Sequence, residues 1–491
     1  MKQKKDHFST LGYIAAALGM CIGTGNVWRF PRICAAHGGG AFIVAWTVAT
    51  LFFAVPLLSI EMAIGRKTRL GVVGSFRDYG GKKSTWLGLF VVGVCFFLMS
   101  YYCVVQGYCI KYTINSAVSF ETNMTTATTA ALWESFTGSP SQVILMHAIG
   151  MAAGCFVVYK GISGGIESFC KVMIPALFLI LVGLAVYALT LDGASAGLQY
   201  LFTIDTKYLF SSDTWIQAFV QAAWSTGAGW GFITTYANYI DSKEDIPNSC
   251  LLMGLGDNLG ALLAAIVVIP SICALSPSAQ AATEALSQGN YGITFIYVYQ
   301  LFSTIPGGRF ISFIFFFLLS MAALTSMFSM IEVSVKALID LGFSRQKGVL
   351  LVCGAGFLVG CFSAYNLANI DNQDWVWGLG LLISGALFSI VVIKNGVEKL
   401  RREEINSEGA LFHFPKVYFN TCTYLMPVLV VVMVVWWLLQ TRNWYPNTWL
   451  NPFVIQDNTG TVLLQLGILS FTSLFLNNTL NRKTSKGPAS K

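Results

Sequence analysis

The stretch CIGTGNVWRFP, Cys21–Pro31, interrupts a long apolar run in which a membrane-spanning helix is expected to continue. Two glycines, a threonine, an asparagine and an arginine fall within these eleven residues. A helix that breaks at membrane depth leaves backbone N–H and C=O groups unpaired, and such a break persists only inside protein or beside a watery cavity. The freed carbonyls suit a cation and the freed N–H groups suit an anion. A single glycine has an alternative explanation, because glycine is common in membrane helices where it allows a neighbouring helix to pack closely.

The composition is that of a membrane protein. Of 491 residues, 55% are hydrophobic and 11% are charged, and the mean hydropathy is +0.64, whereas soluble domains carry about 25% charged residues. The net charge of +7 resides in short loops, which argues against a nucleic-acid partner. The twelve cysteines lie mostly in apolar segments and the four histidines are scattered. We therefore expect no disulfide framework, no cofactor and no enzymatic chemistry.

Twelve apolar stretches of roughly twenty residues are each long enough to span a bilayer. They cover residues 10–34, 40–64, 86–116, 141–159, 169–191, 215–239, 249–273, 309–339, 348–366, 375–396, 417–440 and 460–477. Lysine and arginine collect at the N-terminus, after the second and tenth spans, and in the tail. This bias predicts that both termini are cytoplasmic. We expect a multi-pass protein of the plasma membrane, which is the cell inner membrane if the source is bacterial; the oligomeric state stays open.

A second break, STGAGWG at residues 225–231, lies in the sixth span. The two breaks head two sets of five spans, and an odd number of spans inverts the second set relative to the first. Interrupted segments at corresponding positions of two inverted halves indicate a transporter's binding site. The predicted fold is therefore all-α integral membrane, with twelve transmembrane helices, a 5+5 inverted repeat and broken helices 1 and 6. Its divisions are the cytoplasmic N-terminus 1–9, the repeats 10–191 and 192–399, helices 11 and 12 at 400–477, and the cytoplasmic tail 478–491.

Charged side chains within the apolar spans need partners. Arg29 lies one turn outward of the first break, and Asp374 is its predicted partner, with Asp371 as the rival. Asp257 stands on an otherwise apolar span, so it needs a cation such as Na⁺ if ionised, or a hydrogen bond if protonated. Glu61 is expected to hold the first break through backbone N–H groups.

Hydroxyl groups in the third and eighth spans are further candidates. Thr325 and Ser326 are adjacent in an apolar helix, where such side chains also bond back to the preceding turn. Tyr101 and Tyr102 lie near mid-depth, and a buried phenol needs a partner, which core packing against a local acceptor also provides. Each pair therefore has a functional and a structural interpretation.

Taken together, these residues resemble the neurotransmitter:sodium symporter family. The motifs that carry the resemblance are GTGNVWRFP, GGGAF, IEMAIGR, STGAGWGFITTY and ALTSMFS, and the resemblance spans helices 1–10. The resemblance implies a leucine-transporter-like fold and a sodium-coupled secondary active symporter that imports an amino acid by alternating access. It also implies two Na⁺ as coupling ions, a small-molecule amino acid as substrate and the lipid bilayer as surroundings.

The resemblance implies roles for particular residues. The first sodium site would use Cys21, Asn26, Ser225 and Asp257, and the second would use Gly19, Ile22, Ala322, Thr325 and Ser326. The substrate would meet Cys21, Gly23, Thr24, Gly25, Leu98, Tyr102, Trp224, Ser225, Gly227, Trp230, Ser326 and Met330. The gates would use Arg29, Gln221, Asp374 and Trp230 outside and Lys5 and Asp340 inside. Glu332 and Lys336, spaced i,i+4, are expected to pair and carry no assigned role.

Departures from the family pattern refine the expected substrate. Members that carry biogenic amines have an aspartate where this chain has Gly23, which disfavours an amine without a carboxylate. Asp257 supplies a negative charge that chloride-dependent members obtain from bound Cl⁻, so chloride independence is expected. Trp224 and Trp230 stand where phenylalanines are usual, while Gly227 returns some space. We expect a neutral amino acid with a hydrophobic or aromatic side chain.

Other functions fit parts of the same pattern. One is a non-transporting amino-acid sensor or receptor built on this bundle. Another is a symporter for a different small carboxylate-bearing amine. A channel is a third class, but two broken helices around a compact ligand set favour a closed site over a pore.

Overall fold

The computed structural model describes residues 7–23, 25–241, 243–287, 289, 291–407 and 410–485. Within these ranges the chain is helical and has no β-strand, apart from an isolated bridge between Gly39 and Ile204. The predicted all-α class is confirmed.

The helices are numbered here in chain order, and several contain a π-helical turn. They are α1 Thr10–Cys21, α2 Gly25–Ala36, α3 Gly40–Thr68, α4 Val72–Gly80, α5 Lys82–Val118, α6 Thr126–Thr137, α7 Pro140–Tyr159, α8 Ile162–Leu189, α9 Ala194–Phe202, α10 Thr206–Leu209, α11 Ser212–Thr226, α12 Phe232–Tyr236, α13 Ile246–Leu275, α14 Ala279–Ser287, α15 Gly292–Ser303, α16 Gly308–Asp340, α17 Arg345–Tyr365, α18 Leu367–Asn395, α19 Val397–Leu400, α20 Lys416–Trp444 and α21 Thr459–Lys483.

Both predicted helix breaks are present. Among the described residues, ten helices are long and apolar enough to cross a membrane, and the pair α1 and α2, bent by 46°, forms an eleventh candidate. The predicted sixth span appears as α11 and α12, which have 15 and 5 residues and are separated by residues 227–231. Neither piece is long enough to cross a bilayer alone. The count of twelve spans therefore stays a prediction.

Burial separates central helices from peripheral ones. In the most apolar window of α5 and of α18, 78% of the residues are buried, whereas the share is 33% in α8, α20 and α21. The helix α16 packs extensively along α5, and α1 packs against α8, α13 and α16. The first broken helix therefore lies inside the bundle, where its unpaired backbone groups have protein neighbours, as a break at membrane depth requires.

The loop at residues 276–308 contains a short apolar helix, α15. The ring of Trp133 from α6 stacks on Phe295 of α15, with centroids 5.0 Å apart and planes at 5°. Trp28 of α2 meets the same Phe295 edge-on at 6.1 Å. These aromatic contacts hold α6 and α15 against the outer half of the first broken helix.

Candidate functional site

The first helix break lies between α1 and α2. Ile22 leaves the helical conformation at φ −83° and ψ 82°, and the Gly23 N–H donates to the Cys21 carbonyl at 3.0 Å. Helical structure resumes at Gly25. The Cys21 thiol donates to the Thr226 carbonyl at 3.2 Å, so the first break is bonded directly to the end of α11, where the second break begins.

The second break depends on alternating glycines. Gly227, Gly229 and Gly231 have φ of 69°, 92° and 78°, in the left-handed region that only glycine enters without strain. A Cβ at Gly229 would lie 2.9 Å from the Cα of Gly385 in α18. The two main chains therefore touch, which leaves no room for a side chain at Gly229.

Glu61 of α3 holds this second break. Its side chain is fully buried, and Oε1 accepts from the Gly229 N–H at 2.6 Å. Oε2 accepts from the Thr234 N–H at 3.5 Å and from the Thr234 hydroxyl at 3.3 Å. The sequence predicted that Glu61 holds the first break. Among the described residues its partners belong to the second, because α3 packs against α12.

Side-chain oxygens from three helices gather beside the two breaks. Asn26 Nδ2 donates to Asp257 Oδ1 at 2.6 Å and to the Asp257 carbonyl at 3.3 Å. Asn26 Oδ1, Asp257 Oδ2 and Ser225 Oγ are buried and have no hydrogen-bond partner of acceptable geometry within the described ranges. Buried polar atoms are rarely left unpaired, and hard cations bind such oxygens. This donor set fits a sodium ion.

A second group of oxygens lies where α1 meets α16. Ser326 Oγ lies 3.4 Å from the carbonyl oxygen of Gly19, and Thr325 Oγ1 donates to the Ala322 carbonyl at 2.9 Å. Both hydroxyls are buried, and α1 ends at its cap residue Ile22. The structure thus places α1 carbonyls against α16 hydroxyls, as predicted for the second sodium site, while Thr325 also makes the local bond that a purely structural role requires.

A small cavity of ≈ 40 Å³ lies between the two breaks. Its lining residues are Met20, Cys21, Gly23, Gly25, Asn26, Arg29, Tyr102, Trp224, Ser225, Trp230, Phe232, Ser326 and Met330. Of the predicted substrate residues, Leu98 and Gly227 are not part of this wall, and Thr24 lies outside the described residues. Sequence analysis missed Met20 and Phe232. For Phe232 a signal existed, since it follows Trp230 in the aromatic run GWGF.

Gly23 and Gly25 of the first break line this cavity. A Cβ at Gly23 would lie 2.5 Å from Ser326 Oγ and 2.9 Å from the Tyr102 hydroxyl, whereas a Cβ at Gly25 would have nothing within 4 Å. Gly23 therefore faces two hydroxyls and Gly25 faces open space. Backbone groups of the break are accessible from the cavity because neither residue has a side chain.

Aromatic rings form the opposite wall. Trp224 and Trp230 meet edge to face, with centroids 5.5 Å apart and planes at 84°, and Phe232 lies 4.8 Å from Trp230. The Arg29 guanidinium lies 5.7 Å from the centroid of Trp224. The cavity thus has a polar side at the first break and an aromatic side at the second, an arrangement that suits an amino acid with an apolar side chain.

The predicted outer gate is assembled differently from expectation. Arg29 Nη1 donates to Gln221 Oε1 at 2.8 Å, and Asp374 Oδ1 accepts from the Tyr101 hydroxyl at 2.7 Å. In the described part of the chain there is no direct ion pair between Arg29 and Asp374, although the two charges lie close enough to interact, so the predicted gate stays a prediction. The hydrogen-bond partners of Arg29 and Asp374 are instead the neutral side chains of Gln221 and Tyr101. The sequence does not indicate which of several neighbours forms the bond.

The inner gate is described on one side only. Lys5 lies outside the described residues. Asp340, at the end of α16, accepts from Lys336 Nζ at 2.5 Å and from the Gly71 N–H at 2.6 Å. Asp340 therefore joins α16 to the start of α4.

The predicted pairing of Glu332 with Lys336 is wrong. Glu332 is fully buried and forms an ion pair with Arg345 of α17 at 2.6 Å, and it also accepts from the Tyr239 hydroxyl at 3.0 Å. Lys336 pairs instead with Asp340. The i,i+4 spacing on α16 made Lys336 a possible partner of Glu332. Glu332 pairs with Arg345 because α17 packs beside it.

The sequence matches the sodium:neurotransmitter symporter family over residues 4–143 and 135–479. It is 28% identical over 450 residues to a sodium-dependent transporter of Bacillus subtilis, covering 87% of this chain and 96% of the relative. It is 30% identical over 420 residues to one of Methanocaldococcus jannaschii, covering 82% and 84%. The crystal structure of MhsT in complex with L-phenylalanine superposes with a TM-score of 0.77 at 25% identity, covering 88% of this chain and 99% of MhsT.

The chain belongs to the sodium:neurotransmitter symporter family. It is a multi-pass membrane protein with a leucine-transporter-like fold and functions as a sodium-coupled symporter of a small molecule. Because its relatives are sodium-dependent transporters, it is a transporter and not an enzyme.

Proposed function

We propose that this symporter imports a neutral amino acid with a hydrophobic or aromatic side chain, coupled to two Na⁺. The observation that carries the proposal is the cavity between the two breaks, which joins exposed backbone at Gly23 and Gly25 to the aromatic wall of Trp224 and Trp230. The likeness to MhsT, which was crystallised with L-phenylalanine, supports the same substrate class.

The substrate would bind with its carboxylate at the first break. Backbone N–H groups near Gly25 and the Tyr102 hydroxyl are the donors on that side of the cavity. Its side chain would pack among Trp224, Trp230 and Met330. Gly23 carries no acid, so nothing there would balance an amine that lacks its own carboxylate.

The first sodium ion would bind where the unpaired oxygens gather. Asn26, Ser225 and Asp257 provide side-chain oxygens, and the Cys21 carbonyl and the substrate carboxylate would complete the set. The Asp257 carboxylate would balance one of the two Na⁺, and the zwitterionic amino acid would add no net charge, which limits the cost of burying charge. Sodium and substrate would then bind cooperatively, and this coupling is reciprocal.

The second sodium ion would bind between α1 and α16. Carbonyls of Gly19, Ile22 and Ala322 and the hydroxyls of Thr325 and Ser326 are its proposed ligands. Release of this ion inward would loosen the contact between the two repeats and allow alternating access. Each Na⁺ that moves down a 100 mV inward-negative potential contributes about 2.3 kcal/mol.

The remaining proposals concern gating, charge and orientation. Arg29, Gln221 and Asp374 would close the outer side, and Lys5 with Asp340 the inner side. Transport would be independent of chloride because Asp257 supplies the negative charge. Both termini would be cytoplasmic in the plasma membrane, or the inner membrane of a bacterium, with the repeats at residues 10–191 and 192–399.

Uptake into proteoliposomes tests this function. An inward Na⁺ gradient should drive accumulation of a radiolabelled hydrophobic or aromatic amino acid, and replacing chloride with gluconate should leave the rate unchanged. Binding without accumulation would instead identify the sensor or receptor. Competition among unlabelled amino acids and other small carboxylate-bearing amines would distinguish the substrate classes.

A further inference from the structure

A second, larger cavity lies away from the substrate site, between α5, α17, α18 and α21. Its volume is ≈ 620 Å³, within the roughly 300–1,000 Å³ of common ligand pockets. The lining residues are Phe97, Leu358, Val359, Phe362, Asn372, Gln373, Trp377, Pro452, Ile455, Thr461, Gln465, Ile468, Leu469 and Thr472. None of these residues is charged.

The cavity is open to the surface that faces lipid. Leu358 is 71% exposed and Ile468 is 58% exposed, and the neighbouring Phe471 is 72% exposed. These large apolar side chains lie on α17 and α21, two peripheral membrane helices. Hydrocarbon chains of the bilayer therefore have direct access to the cavity.

The polar part of the wall is satisfied internally. Gln373 Nε2 donates to Gln465 Oε1 at 3.0 Å, and Gln465 Nε2 donates to Asn372 Oδ1 at 3.0 Å. Trp377 Nε1 donates to Gln373 Oε1 at 2.8 Å. Among the described residues, none that lines the cavity has a buried polar atom without a partner. The occupant is therefore not required to supply a hydrogen bond or a charge.

The depth of the cavity matches one leaflet. Thr461 and Thr472 both line it and are eleven residues apart on α21, which is about 16 Å at the helical rise of about 1.5 Å per residue. Half of a hydrocarbon core of about 30 Å is about 15 Å. Because the polar groups of the wall already have partners, water would gain few hydrogen bonds in the cavity, and an empty cavity forfeits the dispersion contacts of its lining.

From these observations we propose that this cavity binds an acyl chain of a membrane phospholipid. The chain belongs to the leaflet at the N-terminal end of α21, which is the outer leaflet in the proposed orientation. It packs on the ring pair of Phe97 and Trp377, whose centroids are 4.3 Å apart with planes at 8°. The proposal does not depend on which amino acid is transported.

Tryptophan quenching by brominated lipid tests this directly. The full chain is reconstituted in phosphatidylcholine vesicles with or without bromine at mid-chain, and the Trp377 signal is obtained as wild type minus Trp377→Phe. Trp377 is only 3% exposed, so bulk lipid does not reach it without entering the cavity. We expect at least a twofold reduction of this signal; an unquenched Trp377 signal overturns the proposal.

A matched pair of variants locates the effect. Val359→Phe adds a ring inside the cavity, and Val431→Phe adds the same ring on α20, at a lipid-facing position that is 60% exposed. Val359→Phe should abolish most of the Trp377 quenching and Val431→Phe should preserve it. Equal quenching in both variants contradicts the assignment.

Cryo-EM of the wild-type chain in phosphatidylcholine nanodiscs provides an independent measurement if a variant does not fold. An elongated density between Phe97 and Ile468, continuous with the bilayer, supports the proposal. A collapsed cavity, or density for water alone, overturns it.

Discussion

The Asn26 side-chain amide donates to the Asp257 carboxylate across 2.6 Å, and this bond joins α2 to α13. It uses one oxygen of Asp257 and the nitrogen of Asn26. Asn26 Oδ1 and Asp257 Oδ2 make no hydrogen bond of acceptable geometry among the described residues. The pair thus orients a carboxylate while keeping an oxygen of each side chain available for a cation.

Asp257→Asn should weaken sodium binding, because the substitution removes the negative charge and keeps the shape. We expect the Na⁺ concentration for half-maximal uptake to rise about tenfold, a cost of about 1.4 kcal/mol. Asp213→Asn is the control, since that side chain is 49% exposed and distant from the cavity. An unchanged Na⁺ dependence of uptake would remove Asp257 from the first sodium site.

Gly23→Ala should impair substrate binding. The added methyl would lie 2.5 Å from Ser326 Oγ and 2.9 Å from the Tyr102 hydroxyl, so one of these groups has to move. We expect at least a tenfold rise in the KM of amino-acid uptake. Gly183→Ala, where a Cβ meets nothing within 4 Å, should leave the KM unaltered. Wild-type kinetics in Gly23→Ala would contradict the proposed carboxylate position.

Glu61→Gln should destabilise the second break. The amide keeps one acceptor oxygen but places an NH₂ group where a carboxylate oxygen accepts from Thr234. A buried donor or acceptor left unpaired costs about 1–3 kcal/mol. We expect a lower Tm of the purified protein and slower uptake. Glu121→Gln, at an exposed position, should preserve both, and an equal Tm in the two variants would count against the role of Glu61.

Asp457 should make stability depend on pH. It lies in the loop between α20 and α21, where burial and then the nearby Asp374 raise its pKa from 3.8 to about 6. The folded state therefore binds more protons than the unfolded state between these values, and the free energy of unfolding rises as pH falls from about 6 toward about 4. Tm measured at pH 7 and at pH 5 should show this gain in the wild type, and a smaller gain in Asp457→Asn. Identical pH profiles would contradict the assignment.

The two helix breaks could be predicted from the sequence because glycine-rich interruptions in apolar spans are local signals. CIGTGNVWRFP and STGAGWG located both breaks, and Asp257 stood out as a lone carboxylate on an apolar helix. In the structure both breaks line one cavity, and Asp257 bonds to Asn26 in its wall. Local pattern was sufficient here because membrane burial leaves few alternatives for unpaired polar groups.

The hydrogen-bond and ion-pair partners of the buried charged side chains could not be predicted from the sequence. Arg29 has Gln221 as its partner, and Glu332 has Arg345 from the next helix. These choices depend on how neighbouring helices approach, over distances that sequence spacing does not report. Phe232 was missed for a related reason, since its place in the cavity wall follows from the unwinding of residues 227–231.

The bonds of Glu61 have a mechanical consequence. One carboxylate holds both Gly229 and Thr234, so the backbone between them has a fixed length while those bonds persist. We expect α3 and α12 to move together for as long as these bonds persist. Rotation within the sixth span is confined to the short stretch before Gly229, where Gly227 adopts its left-handed conformation. We therefore expect a pivot at residues 226–228, at the end of α11.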